Sequence, residues 1–140
     1  MTSPFPIFFG FADGTSHHTH NIASTTCVIY HYYELVSSRG ICLGLTTNNV
    51  AEYHIVIGLL TKASSLGISH IIINLDSQLV VCQLNRVYAI HNPILLRLHL
   101  KFHHLERMFE FTQYRNIPKE LNTTIDSLEN YILDRYLVHR

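Results

Sequence analysis

Four carboxylate residues lie at places in the chain from which they could meet at one edge of a folded sheet. Asp13 and Asp76 each follow a short apolar run that predicts a β-strand. Glu52 lies in a long, mostly apolar segment with helical spacing, and Asp126 lies near the start of a late helical pattern. Carboxylates that converge repel one another unless cations lie between them. A cluster of these side chains would therefore be a site for hard cations with oxygen ligands, such as Mg²⁺.

Each acid also has a purely structural interpretation. Asp13 with Gly14 could form an Asx-type turn, and Asp76 could begin a turn or cap the helix that follows it. Glu52 could complete a capping box with the asparagine three residues before it, and Asp126 could favour the positive end of its helix. Taken together, however, the four acids lie at ends of elements that one topology can bring together, which favours a shared site.

The elements that must position these acids follow from hydrophobic periodicity and from turn residues. Strand patterns occupy residues 5–13, 23–33, 35–44, 71–75 and 109–117. Helix patterns occupy residues 50–66, 77–84, 93–108 and 122–133. We expect Asn48 and Asn49 to cap the first helix and Gly67 to end it. The third strand should follow a short turn near Glu34.

The order β-β-β-α-β-α-α-β-α predicts an α/β fold with a mixed five-stranded sheet and helices packed on it. A chain of 140 residues is long enough for one such domain, so we expect residues 1–140 to form a single unit. In sheets of this kind, ligands gather at the carboxyl ends of the parallel strands. Asp13 and Asp76 both lie at such ends.

Composition excludes several classes of protein. The hydrophobic fraction of 47% and the charged fraction of 14% exclude a disordered, solvated chain. The formal net charge of zero gives no global attraction to nucleic acid. Three widely spaced cysteines predict neither a disulfide framework nor a zinc site. No apolar stretch approaches the roughly 20 residues of a membrane span, so we expect a soluble intracellular protein with no membrane partner.

Four segments around the acids resemble the type 1 ribonuclease H family. They are Asp13–Ser16, Thr47–Tyr53, Asp76–Val81 and Asn116–Leu128. The likeness runs from about Ile7 to Leu133 and is closest to the compact branch found in archaea, bacteria and plant retroelement polyproteins. The family has a ribonuclease H-like fold, which agrees with the element order predicted above.

The resemblance implies a metal-dependent endonuclease that hydrolyses the RNA strand of RNA–DNA hybrids. Asp13, Glu52, Asp76 and Asp126 match the family's metal-binding acids and would be the catalytic residues. Two Mg²⁺ ions, with Mn²⁺ as a substitute, would lie about 4 Å apart and clamp the scissile phosphate. One ion would generate the attacking hydroxide, and the other would stabilise the leaving 3′ oxygen.

The resemblance also implies contacts to the substrate. Asn48, Asn49 and Gln78 carry amides that donate and accept hydrogen bonds, which suits minor-groove base edges and ribose hydroxyls. Gly14 and Ser16 would let the backbone approach the RNA strand. An RNA–DNA hybrid is therefore the expected partner.

Two features depart from the family pattern. Many relatives have a histidine ten residues before the last acid, where this chain has Asn116. Asparagine cannot titrate, but it could still hydrogen-bond a phosphate, so we place Asn116 among the substrate contacts. The segment from Arg86 to Arg107, where larger relatives carry a basic handle helix, has few fixed charges. We expect a weaker grip on the hybrid and a strong dependence on salt.

Two other functions remain open from the sequence. One is a domesticated, non-catalytic module of the same fold that binds nucleic acid or protein. The other is a nuclease of the same fold that acts on another duplex or on branched DNA. The sequence also leaves open the oligomeric state and whether the chain is a free enzyme or part of a larger polyprotein.

Overall fold

The computed structural model describes residues 5–13, 23–44 and 46–117. The strands are Phe8–Asp13 (β1), Ala23–His31 (β2), Glu34–Gly44 (β3), His70–Leu75 (β4) and Phe111–Asn116 (β5). The helices are Asn48–Ser65 (α1), Gln78–Leu84 (α2) and Pro93–Glu106 (α3). The predicted order is confirmed from β1 to β5. The helix predicted over 122–133 lies outside the described residues.

The five strands form one mixed sheet in the order β3-β2-β1-β4-β5. β1, β2 and β3 pair antiparallel, as the meander predicted, whereas β1, β4 and β5 are parallel to one another. Because β1, β4 and β5 run in the same direction, their carboxyl ends share one edge of the sheet. That edge is where ligands collect in α/β folds.

Both faces of the sheet are apolar, and successive residues alternate between them. The face that carries the helices is buried with α1, α2 and α3 in one core, to which the strands contribute Ala12, Cys27, Ile29, Ile71, Ile73, Leu75 and Tyr114. The opposite face holds a separate cluster, formed by Phe9, Phe11, Val28, Tyr30, Ile72 and Ile117. Burial on both faces explains why β4 is apolar from Ile71 to Leu75 apart from Asn74.

The helix ends follow their local chemistry. Thr47, not Asn48 or Asn49, caps α1 and accepts a hydrogen bond from the Val50 N–H at 3.3 Å. The prediction of asparagine caps is therefore wrong, because the chain enters the helix earlier than the apolar periodicity indicates. Gly67, at φ +76°, follows the end of α1 as predicted.

The other boundaries differ from prediction by a few residues. Asn92 caps α3 with two hydrogen bonds, and Pro93 occupies the first turn, as predicted. The turn between β2 and β3 lies at Tyr32 and Tyr33, before the predicted position, because His31 already pairs with Glu34. Among the helices of the described ranges, none is long and apolar enough to cross a membrane.

Candidate active site

Three of the predicted site residues lie side by side at the carboxyl edge of the parallel strands. Phe11 of β1 pairs with Asn74 of β4, so Asp13 and Asp76, each two residues further on, lie level on neighbouring strands. On the other side of β4, Leu75 pairs with Asn116, the last residue of β5. The register therefore brings the backbones of Asp13, Asp76 and Asn116 to the same edge of the sheet.

Helix α1 adds Glu52 to this edge. Glu52 lies one turn beyond the start of the helix and is only 7% exposed. Its carboxyl lies within hydrogen-bonding reach of both the side chain and the backbone of Asp76. Two acids separated by 24 positions in the sequence thus meet directly. The interpretation of Glu52 as part of a capping box is wrong, because the helix is capped by Thr47 and the Glu52 side chain is turned toward Asp76.

The Glu52 carboxyl is held in an environment that disfavours its negative charge. Its pKa is raised from the ordinary value of 4.5 to about 8, chiefly because burial strips water from the charged form. The charge of Asp76 and a hydrogen bond between the two side chains contribute to this rise, whereas a hydrogen bond from the Asp76 backbone opposes it. The folded chain therefore favours a proton, or another cation, on Glu52.

This pair fits a divalent metal ion. Buried side-chain oxygens are nearly always hydrogen-bonded, yet Oε1 of Glu52 has no such partner among the described residues. Carboxylate oxygens are the ligands that Mg²⁺ prefers, and a cation would offset both the burial of Glu52 and its repulsion from Asp76. Glu52 and Asp76 are thus suited to hold Mg²⁺ through their carboxylates.

The remaining acids of the predicted set are not described at side-chain level. The backbone of Asp13 is placed at the end of β1, but its side chain is outside the description, and so is the whole of Asp126. Gly14 and Ser16 also lie outside the described residues. Among the side chains that are described, no group of three histidine, cysteine or acidic residues is positioned to hold a metal ion. The convergence of all four acids remains a prediction.

The starts of α1 and α2 lie next to each other beside the acid pair. Ser77 caps α2 by accepting a hydrogen bond from the Val80 N–H at 3.3 Å, and its hydroxyl donates to Oδ1 of Asn49 at 3.4 Å. Asn48 and Gln78 are the first residues of their helices, and both are exposed. The three predicted amide contacts therefore flank Glu52 and Asp76 on the solvent side.

Asn116, at the end of β5, lies on the other side of Asp76 from Asp13. Its side-chain amide donates to the Leu75 carbonyl at 3.3 Å, next to Asp76 in the chain, and the residue is exposed. This amide hydrogen bond ties the end of β5 to the end of β4. Whether Asn116 contacts the substrate stays a prediction.

Sequence reasoning missed three polar residues at this edge. Thr47 and Ser77 position α1 and α2, and short hydroxyl residues immediately before helical patterns were the available signal. Asn74, fully buried in β4, donates to the Gly10 carbonyl at 3.3 Å, and its Oδ1 has no hydrogen-bond partner in the described part of the chain. Its polarity inside a continuously apolar run marked it as exceptional.

The segment that replaces the handle helix offers little free positive charge. Arg86 is paired with Glu106 at 3.0 Å and also contacts Nδ1 of His103 at 3.0 Å. Within the described residues, Arg97 and Lys101 on α3 have no ion pair and remain exposed. The expected shortage of cations in this segment is therefore greater than the residue types alone indicate.

Comparison with known proteins places the chain in a family. The profile of the family described as reverse transcriptase-like matches residues 11–131. A bifunctional protein of Mycobacterium tuberculosis is 33% identical over 126 residues, which are 88% of this chain and 34% of that protein. Ribonuclease HI of Halobacterium salinarum is 33% identical over 100 residues, which are 71% of this chain and 50% of that protein. The chain thus spans between about a third and a half of the length of these relatives.

Solved structures agree in fold along nearly their whole length. The amino-terminal ribonuclease H domain of the M. tuberculosis protein superposes with a TM-score of 0.74 at 29% identity, covering 89% of this chain and 97% of that one. A ribonuclease H1 from compost, solved in complex with an RNA/DNA hybrid, superposes with a TM-score of 0.71 at 26% identity, covering 94% and 98%. The resemblance found in the sequence is confirmed. The chain belongs to the reverse transcriptase-like family, and its domain is of the ribonuclease H type.

Proposed function

We propose that this chain is a metal-dependent endonuclease that hydrolyses the RNA strand of RNA–DNA hybrids. The observation that carries the proposal is the buried Glu52 carboxyl, held against Asp76 at the edge where the parallel strands end. A buried carboxyl with a raised pKa and an unpartnered oxygen costs stability, so a functional reason for its position is expected. Relatives named ribonuclease HI, and one solved with a bound hybrid, support the same activity.

Four acids would hold the metal in this proposal. Glu52 and Asp76 provide carboxylates from α1 and from the loop after β4, while Asp13 and Asp126 complete the set from β1 and from the carboxyl-terminal segment. Two bound Mg²⁺ ions, or Mn²⁺ in their place, would supply charge neutralisation at the scissile phosphate and activation of the attacking water. The rigid sheet edge and the start of α1 fix the carboxylates in advance, so little reorganisation is needed at the moment of reaction.

The amides around the acid pair would position the hybrid. Asn48, Asn49 and Gln78 present groups that donate and accept, so they suit the minor groove of a hybrid without selecting a base sequence. The hydrogen bond from Ser77 limits the freedom of Asn49 and couples the two helix starts. Asn116 lies on the opposite side of Asp76, where the second N–H of its side-chain amide would donate to a backbone phosphate. Gly14 and Ser16, after β1, would approach the RNA strand.

Substrate choice separates the proposal from the two other functions of this fold. End-labelled RNA–DNA hybrid, double-stranded RNA and branched DNA are each incubated with the chain in Mg²⁺, and the products are resolved on a denaturing gel. The proposal expects internal cuts in the RNA strand of the hybrid alone. Preferential cutting of either other substrate would identify a nuclease of the same fold with a different target.

Binding without cleavage would indicate the non-catalytic module. In that case hybrid would bind equally well in EDTA and in Mg²⁺, and no product would form under either condition. Because α3 carries few free cations, binding would release few counterions, so cleavage should depend on salt less steeply than the sequence led us to expect. The matched control for variants of the Glu52 and Asp76 carboxyls is Glu110→Gln, which removes an exposed carboxyl at the opposite end of the sheet. There the Glu110 N–H donates to the Ser69 carbonyl.

A further inference from the structure

A groove lies between α1 and the outer strands β2 and β3, away from the carboxyl edge of the sheet. It has a volume of about 300 Å³, which lies at the small end of the range for pockets that bind small molecules. Its floor is apolar and is formed by Cys27, Ile29, Ile41, Ile57 and Leu59. Such a floor would favour a compact apolar body on the ligand.

The rim of this groove is positively charged. Arg39 on β3 and Lys62 on α1 line it from opposite walls, together with His54. Its polar lining is completed by the hydroxyls of Ser37 and Thr61, and none of the acidic residues that the structure describes lines it. Among the described residues, neither Arg39 nor Lys62 has an ion-pair partner. The groove therefore combines an apolar interior with uncompensated positive charge at its mouth.

Gly58 gives the groove its width. A Cβ atom added at Gly58 would lie 3.0 Å from Cδ1 of Ile41, across the space between helix and strand. Glycine inside a helix costs about 1 kcal/mol relative to alanine. A side chain there would narrow the space between α1 and β3, so the groove depends on this residue.

The inner wall of the groove is neutral. Cys27 pairs across the sheet with Arg39, and burial raises the pKa of its thiol to about 12. The thiol therefore packs as an apolar group and does not compensate the guanidinium. Cys27 is also near enough to Glu52 for the charge of that carboxyl to raise the same pKa. Cys27 is therefore shared between the groove lining and the surroundings of Glu52, although Glu52 itself does not line the groove.

We propose that this groove binds a small amphipathic anion, with its apolar body against Ile29, Ile41 and Ile57 and its acidic group between Arg39 and Lys62. The ligand class is a compact aromatic or aliphatic carboxylate, sulfonate or phosphate monoester. This site is separate from the proposed nuclease function, because neither Glu52 nor Asp76 lines the groove. A nucleic-acid backbone suits it less well, since a chain of phosphates has no apolar body to fill the floor.

Two matched fluorescent probes test the proposal. Anilinonaphthalene sulfonate is anionic, whereas N-phenylnaphthylamine has the same rings without the charge. The chain is titrated with each probe, and amide NMR spectra locate the response. We expect saturable binding with shifts confined to β3 and the middle of α1, and at least tenfold tighter binding of the anionic probe.

Three variants separate charge, shape and catalysis. Arg39→Gln should lower the affinity for the anionic probe about tenfold and leave the affinity for the neutral probe unchanged. Arg97→Gln, which removes an equivalent exposed charge from α3, should change neither affinity. Gly58→Ala should lower the affinity for both probes, because the added methyl group narrows the groove. Asp76→Asn should bind both probes like the parent, so failure of the nuclease proposal would leave this result intact.

Several results would overturn the inference. The first is the absence of saturable binding by the parent chain, and the second is equal affinity for the two probes. The third is an equal effect of Arg39→Gln and Arg97→Gln, and the fourth is NMR shifts located outside the groove. Arg39 is exposed on a strand, so Arg39→Gln should leave the fold intact. The comparison of Arg39→Gln with Arg97→Gln therefore tests the inference whether or not the protein tolerates alanine at Gly58.

Discussion

Glu52→Gln should stabilise the protein in the absence of divalent ions while it slows cleavage on the order of 10²-fold or more. Glutamine has nearly the shape of glutamate and cannot ionise, so it removes the buried charge without opening a cavity. It can also donate a hydrogen bond to Asp76, which the ionised glutamate cannot do. The variant therefore separates the effect of the buried carboxylate on stability from its role in cleavage.

The size and sign of the effect follow from the pKa of Glu52. The folded-state pKa of about 8 lies above the ordinary value of 4.5, so the folded state holds a proton that the unfolded state releases. The contribution of this group to stability is therefore full at low pH and falls as pH rises toward 8. At about 1.4 kcal/mol per unit, the loss reaches about 3 kcal/mol at pH 7 and about 4 kcal/mol at pH 8, as upper bounds.

Urea unfolding at several pH values in EDTA measures this loss. The free energy of unfolding of the parent chain should fall between pH 5 and pH 8, and Glu52→Gln should flatten that slope and exceed the parent at pH 8. Mg²⁺ should stabilise the parent more than the variant, because the ion binds the ionised acids. Glu110→Gln, the exposed control, should keep the parent slope. A Glu52→Gln chain that is less stable than the parent at pH 8 would refute the reasoning.

Four further outcomes are expected. Ser77→Ala, which removes the cap of α2 and the contact to Asn49, should cost about 1 kcal/mol in urea unfolding and raise the KM for hybrid; unchanged stability would show that the cap is dispensable. Gln78→Ala should raise KM more than it lowers kcat, as steady-state cleavage would show, and the reverse pattern would place Gln78 in the chemical step. Asn116→His should keep or raise turnover, whereas a complete loss would assign Asn116 a different part. Cys27 should resist iodoacetamide at pH 8 in the native chain, because burial raises its thiol pKa, and react after unfolding; mass spectrometry of the alkylated peptides measures both states.

The element order and the pairing of two acids could be predicted because they depend on strong, local patterns. The apolar run before Asp76 and the helical spacing around Glu52 identify a strand end and a helix start, and the parallel topology brings such ends to one edge. The type of each element depends on the period of its apolar residues, which the sequence displays directly.

The details that failed depend on contacts that no local pattern shows. Asn48 and Asn49, the predicted caps, lie inside α1, and the residue that caps the helix is Thr47, because the choice of cap depends on where the chain leaves β3. The shared edge of Glu52 and Asp76 was predictable, whereas the direct contact between their carboxyls depends on how α1 lies against β4. The groove beside Gly58 likewise arises from the spacing between a helix and a strand, which the sequence does not display.

The rate of hybrid cleavage in Mg²⁺ tests the central claim most directly. Under single-turnover conditions, Asp76→Asn and Glu52→Gln should each cleave on the order of 10²-fold or more slowly than the parent, with Glu110→Gln unchanged. Cleavage at the parent rate by either of the first two variants would contradict a catalytic site built on this pair of carboxylates.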